Sequence, residues 1–149
     1  MATHGLPTWP WTDTPAADLP AAEALLLEGI RRCGTAARAG AATLAAIRAP
    51  FIAEDAGPAA PPLDSLMRAV AASGLPAIGC MLCPRTTPHE AELLLAIALA
   101  QRGCRAQALG LLLRHLPPAG AYAAMPAAIH LGIALRAAGL MLRNPLRPR

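Results

Sequence analysis

Lysine is absent from the chain, and all 13 basic residues are arginine. That pattern fits an arginine- and alanine-biased codon usage, and it takes away the lysine–arginine mixture on which nucleic-acid modules usually rely. Aromatic residues make up only 3 % of the sequence and valine occurs once, at Val70. β-Sheets favour branched and aromatic side chains, so composition excludes a sheet-built core. Asn144 is the only asparagine, and Ser65 and Ser73 are the only serines, which leaves no close serine–histidine–carboxylate arrangement. A glycine-rich phosphate loop is also missing. The opening stretch, Met1 to Pro15, holds three prolines and no basic residue, unlike a signal peptide. Without an export signal the expected setting is cytoplasmic, with Cys33, Cys80, Cys83 and Cys104 as thiols or metal ligands rather than disulfides.

What remains is alanine and leucine in a chain that is 55 % apolar, enough to fill one core over 149 residues. Both residues favour helix. From Asp18 onward, Leu26, Ile30, Cys33, Ala37, Ala41, Leu44 and Ile47 recur at steps of three and four, one continuous apolar stripe. It predicts one kinked helix or two, ending near Ala49 because Pro50 follows. Residues 54–62 read as a linker, Leu63 to Ser73 as a short helix closed by Gly74, and Leu75 to Thr86 as an ordered loop. Thr87-Pro88-His89-Glu90 is a capping box with proline at the first helical position, the clearest helix start in the chain. That helix should run to Arg102 and exit at Gly103; the next spans about Cys104 to Leu116, and the last lies within Ala121 to Arg143. The uncharged stretch His115 to Leu135 carries Pro117, Pro118, Gly120 and Pro126, which argues against a transmembrane segment.

The expected fold is therefore all-α, a compact bundle of five or six helices. Residues 1–17 form an irregular leader, 18–143 a single helical domain and 144–149 a basic tail. Within residues 88–116, Leu95, Ala96, Leu99, Gly103, Ala108 and Leu112, with prolines behind the second helix, resemble a tetratricopeptide-type helical hairpin. A generic αα-hairpin satisfies the same residues, and the sequence shows no second copy at the repeat period.

Charge is divided along the chain. Residues 1–64 hold seven acids and four arginines, whereas residues 65–149 hold two acids and nine arginines. The two parts either attract one another across the fold or present a basic face to an acidic partner, a nucleic acid or an anionic membrane surface. Arg143, Arg147 and Arg149, beyond the last helix, are the candidate basic contacts. Trp9 and Trp11 either cap the core or anchor a partner.

Cys80-Met81-Leu82-Cys83 is the one chemical motif. Two thiolates at this spacing can grip one metal, and zinc, which needs four ligands, would have to recruit the rest from His89, Cys104 and Cys33. A helix of about 15 residues is ~22 Å long and separates Cys104 from the loop, so that set is hard to close. The same pair could exchange thiols. Among all-helical proteins, the chain resembles the alkylhydroperoxidase and carboxymuconolactone decarboxylase group in Cys80, Cys83 and His89 on a helical background, which implies dithiol redox chemistry. Otherwise the two cysteines are small apolar residues packed under the loop. His115 and His130 read as half-buried histidines of apolar helices.

Three functions are expected in this order. The first is a non-catalytic helical interaction module with a protein partner or a second copy of itself. The second is a protein whose paired cysteines bind zinc or exchange thiols. The third is an arginine-mediated binder of nucleic acid or anionic membrane.

Overall fold

In a computed structural model of the chain, residues 8–74 and 78–146 are described. Six helices form the body: α1 (Ala21–Arg38), α2 (Thr43–Ala53), α3 (Ala60–Ala72), α4 (Pro88–Gln101), α5 (Arg105–His115) and α6 (Pro118–Ala137). Among the described residues the only β-type pairing is an isolated bridge, Pro15 with Arg85. The architecture is an all-α bundle.

Local chemistry explains most boundaries. α1 and α2 are separate helices, because Gly40 takes φ +69°, a left-handed conformation in which a side chain would be strained. Thr87 caps α4 by accepting from the Glu90 N–H at 3.2 Å, while the Glu90 carboxylate accepts from the Thr87 N–H at 2.8 Å. The expected hairpin at residues 88–116 is present as α4 and α5.

Three expectations need correction, and each turns on proline. α2 does not stop before Pro50 but continues to Ala53. Phe51 lies just beyond the proline and is fully buried. Ending the helix early would remove that ring from the core, a loss of ~1.5–3 kcal/mol that is on the scale of the ~3 kcal/mol proline penalty. Residues 54–62 are not an open linker: a short 3-10 turn spans Gly57–Ala59 and α3 begins at Ala60. Pro61 and Pro62 fall in its first turn, where a missing N–H breaks no helical bond. α6 starts at Pro118, runs through Pro126 and ends at Ala137, short of Arg143. Pro126 is exposed, so water can serve the carbonyl it frees one turn back.

α6 is also the one helix among the described residues long and apolar enough, by length and composition, to cross a membrane. Its prolines do not interrupt it, contrary to the sequence reading. One side of it, with Ala121, Ala124, Ala128, Leu131 and Leu135, lies in the bundle core. There it packs against α3, α4 and α5. The α4–α6 crossing is close: a Cβ on Gly132 would sit 2.8 Å from the Gln101 Cα. Gln101 fixes the same crossing by donating to the Leu140 carbonyl at 2.9 Å and accepting from the Leu142 N–H at 3.0 Å.

The leader is tied to the body. Thr8 donates its N–H and its hydroxyl to the Pro145 carbonyl, each at 2.9 Å. Thr86 N–H donates to Thr14 and Ala16 N–H to Pro84, so residues 14–16 run beside residues 84–86. Trp11 is in the core at 1 % exposure.

Two glycines give opposite predictions. Gly132→Ala would drive a methyl into the α4 backbone and should destabilise the fold by ~1–3 kcal/mol. Gly110, exposed in α5 with nothing within 4 Å of its added Cβ, should stabilise it by ~0.5–1 kcal/mol when changed to alanine. Urea unfolding of both variants measures this; equal effects would contradict the α4–α6 crossing.

Candidate functional site

The CxxC loop is built on a buried ion pair between helices distant in sequence. Arg31 of α1 and Glu90 of α4 are 3 % and 0 % exposed. Their contact is bidentate: Arg31 Nε donates to Glu90 Oε1 at 3.0 Å and a terminal nitrogen donates to Oε2 at 3.1 Å. The remaining capacity of both groups goes to the loop and its exit. Arg31 also donates to the Cys83 carbonyl at 2.7 Å and the Arg85 carbonyl at 3.0 Å. Glu90 accepts from the Gly79 N–H at 2.7 Å in addition to the capping N–H of Thr87. The loop is thus held at Gly79 before the first cysteine and at the second cysteine itself. Gly79 has to be glycine: an added Cβ would lie 2.9 Å from Glu90 Oε1 and 3.2 Å from an Arg31 nitrogen.

On this base the two sulfurs stand at the surface. Cys80 is exposed and Cys83 half-buried, with their Sγ atoms 3.1 Å apart. The Cys80 N–H donates to the Cys83 Sγ at 3.2 Å. One proton bridging the sulfurs splits their acidities. The Cys83 thiol donating to Cys80, helped by the Leu82 N–H, holds Cys80 below the usual thiol range. The same bond pushes Cys83 up. Between them Leu82 is 91 % exposed and Met81 40 %, so the tip of the loop is apolar and open. The reading of Cys80 and Cys83 as residues packed under the loop does not hold for Cys80.

Other candidates lie apart from the sulfurs. Cys33 is a core thiol, pushed up to about 12 by burial and then by the nearby Asp64 charge. Cys104 precedes α5, its Sγ 4.0 Å from the Arg102 carbonyl. The 14 residues of α4 lie between the loop and Cys104, a rise of ~21 Å. The His89 ring meets the His115 ring edge to face with centroids 5.4 Å apart, and His115 pairs with Glu92. Cys80, Cys83, His89 and Cys104 therefore do not assemble, and among the described residues no three His, Cys, Asp or Glu side chains come together to hold a metal.

The partner-binding candidates divide too. Trp11 is buried and offers nothing to a partner. Trp9 is half-buried, with the Arg114 guanidinium 5.7 Å from its ring centre. Arg143 is exposed, with its backbone N–H bound to the buried Glu23 carboxylate at 2.7 Å. Arg147 and Arg149 lie outside the described residues. Several other arginines are engaged internally: Arg102 donates to Leu142 and Arg136 to Gln101, each at 2.6 Å. Asp13 and Arg85 pair at 2.8 Å across the acidic and basic parts of the chain, but both are solvated, so the pair adds only ~0–1 kcal/mol.

Arg31→Met should destabilise the protein by ~3–5 kcal/mol in urea unfolding, because it strands a buried carboxylate. Adding Glu90→Leu should recover little, since the Gly79 and Thr87 N–H groups would then lose their acceptor at ~1–3 kcal/mol each. A single variant within about 1 kcal/mol of the parent would refute the strength assigned to this pair.

No family model matches the chain, and no curated protein or solved structure matches it.

Proposed function

We propose that the protein is a dithiol module that exchanges thiols with disulfide substrates. The observation that carries this reading is the sulfur pair: two thiols 3.1 Å apart on an exposed loop whose backbone is pinned from below. A disulfide needs its sulfurs near 2.05 Å, so closing the pair brings them ~1 Å nearer.

The reaction follows from the placement. The Cys80 thiolate, at the surface, attacks one sulfur of a substrate disulfide, and the substrate S–S bond breaks with release of one thiolate. Cys80 is then joined to the substrate in a mixed disulfide. Cys83 loses its proton to solvent and attacks the Cys80 sulfur, which expels the second substrate thiolate. The substrate has gained two electrons and the loop holds a Cys80–Cys83 disulfide. A thiol reductant returns the loop to the dithiol. In a reducing, cytoplasmic setting the dithiol is the resting form.

A non-catalytic interaction module is the second reading. Tyr122 and Ile133, each 62 % exposed, favour it, because they lie with exposed Pro126 along α6.

Thiol exchange is tested by trapping. Cys83→Ser should accumulate a mixed disulfide with a peptide disulfide, whereas Cys80→Ser should not. Wild type should turn over once and end with Cys80 joined to Cys83 by peptide mapping, leaving Cys33 unmodified until the protein is unfolded. Absence of both the trapped species and the internal disulfide would reject the reading.

A further inference from the structure

We propose that the reduced loop is also a binding site for a soft monovalent metal ion, Cu(I), held between the thiolates of Cys80 and Cys83. The donor set selects the metal. Thiolate and thioether sulfur favour Cu(I), zinc or iron–sulfur clusters. A closed zinc site takes four ligands and iron–sulfur clusters take four cysteines as a rule. This loop brings together two sulfurs, and among the described residues no group of three His, Cys, Asp or Glu side chains is placed to hold a metal. A filled-shell monovalent ion is satisfied by two thiolates on opposite sides.

The geometry accommodates it. Taking the zinc–thiolate bond of about 2.3 Å as an upper guide, collinear sulfurs stand at most about 4.6 Å apart, so the pair must open from 3.1 Å by up to ~1.5 Å. The backbone cannot supply this, because Gly79 is fixed on Glu90 and Cys83 on Arg31. The Cys80 side chain can, because it is exposed. Two thiolates and one monocation leave a single negative charge, which the Cys80 N–H directed at the Cys83 sulfur stabilises. Met81, 40 % exposed between the two ligands in sequence, adds a thioether to the same loop. Binding releases to solvent the thiol proton that the pair still holds.

Metal and disulfide use the same sulfurs, so oxidation of the loop abolishes the site. The inference does not rest on thiol exchange. A loop that never attacks a substrate disulfide still holds the ion when reduced.

The test is an anaerobic titration of the full-length, reduced protein with Cu(I) buffered by bathocuproine disulfonate. One equivalent per chain should leave the chelator. The stoichiometry should fall to zero in Cys80→Ser, in Cys83→Ser and in wild type oxidised at the loop, with helical circular dichroism unchanged in all three. A parallel titration with zinc against a zinc chelator should retain none. Copper remaining wholly with the chelator would overturn the proposal. So would an equivalent that survives either substitution, or zinc held at the same stoichiometry.

Discussion

Helix α1, helix α4 and the CxxC loop are held together by the pairing of Arg31 with Glu90. Both groups are withdrawn from water, and desolvating two charges costs several kcal/mol each. Such a pair persists only where geometry is good and every remaining donor and acceptor is served. Here the contact is bidentate, and the surplus capacity is taken by the Cys83 and Arg85 carbonyls and by the Gly79 and Thr87 N–H groups. One interaction therefore joins α1 to α4, caps α4 and anchors a loop with no regular structure of its own. The leader, hydrogen-bonded along residues 84–86, covers the exit of the same loop.

Much of the scaffold was legible in the sequence, because helix periodicity and capping are local. Thr87 to Glu90 specified its helix start atom for atom. The errors gather at prolines. A proline's local preference is to end a helix, but Phe51 behind Pro50 and the buried alanines behind Pro126 belong to a shared core, and burial there outweighs one lost hydrogen bond. Periodicity within a short window cannot weigh contacts made with a distant helix.

The site was half legible. Spacing alone marked Cys80 and Cys83. Their support was hidden because Glu90 already had a complete local explanation as a capping residue, and nothing in the spacing of Arg31, next to Arg32, ties it to residue 90. One signal was available. Arg31 directly follows Ile30 of the apolar stripe and stands at steps of four and three from Leu27 and Gly34, a register beside the core where an arginine requires a carboxylate; the structure buries all three. Glu90 is the carboxylate that answers it. Arg32, one residue on, turns outward to Glu28 as a solvated pair.

A buried guanidinium fork holds the backbone on which the two surface sulfurs stand. Whether that hold governs the sulfurs is read from the equilibrium constant of the loop disulfide against glutathione, measured in the parent and in Arg31→Lys. Lysine keeps the charge and loses the fork that reaches the Cys83 and Arg85 carbonyls together. If the fork sets the sulfur spacing, the constant falls on the order of ten- to a hundredfold in a variant that remains folded, because the effective concentration of one sulfur at the other drops. A folded Arg31→Lys protein with the parental constant would contradict it.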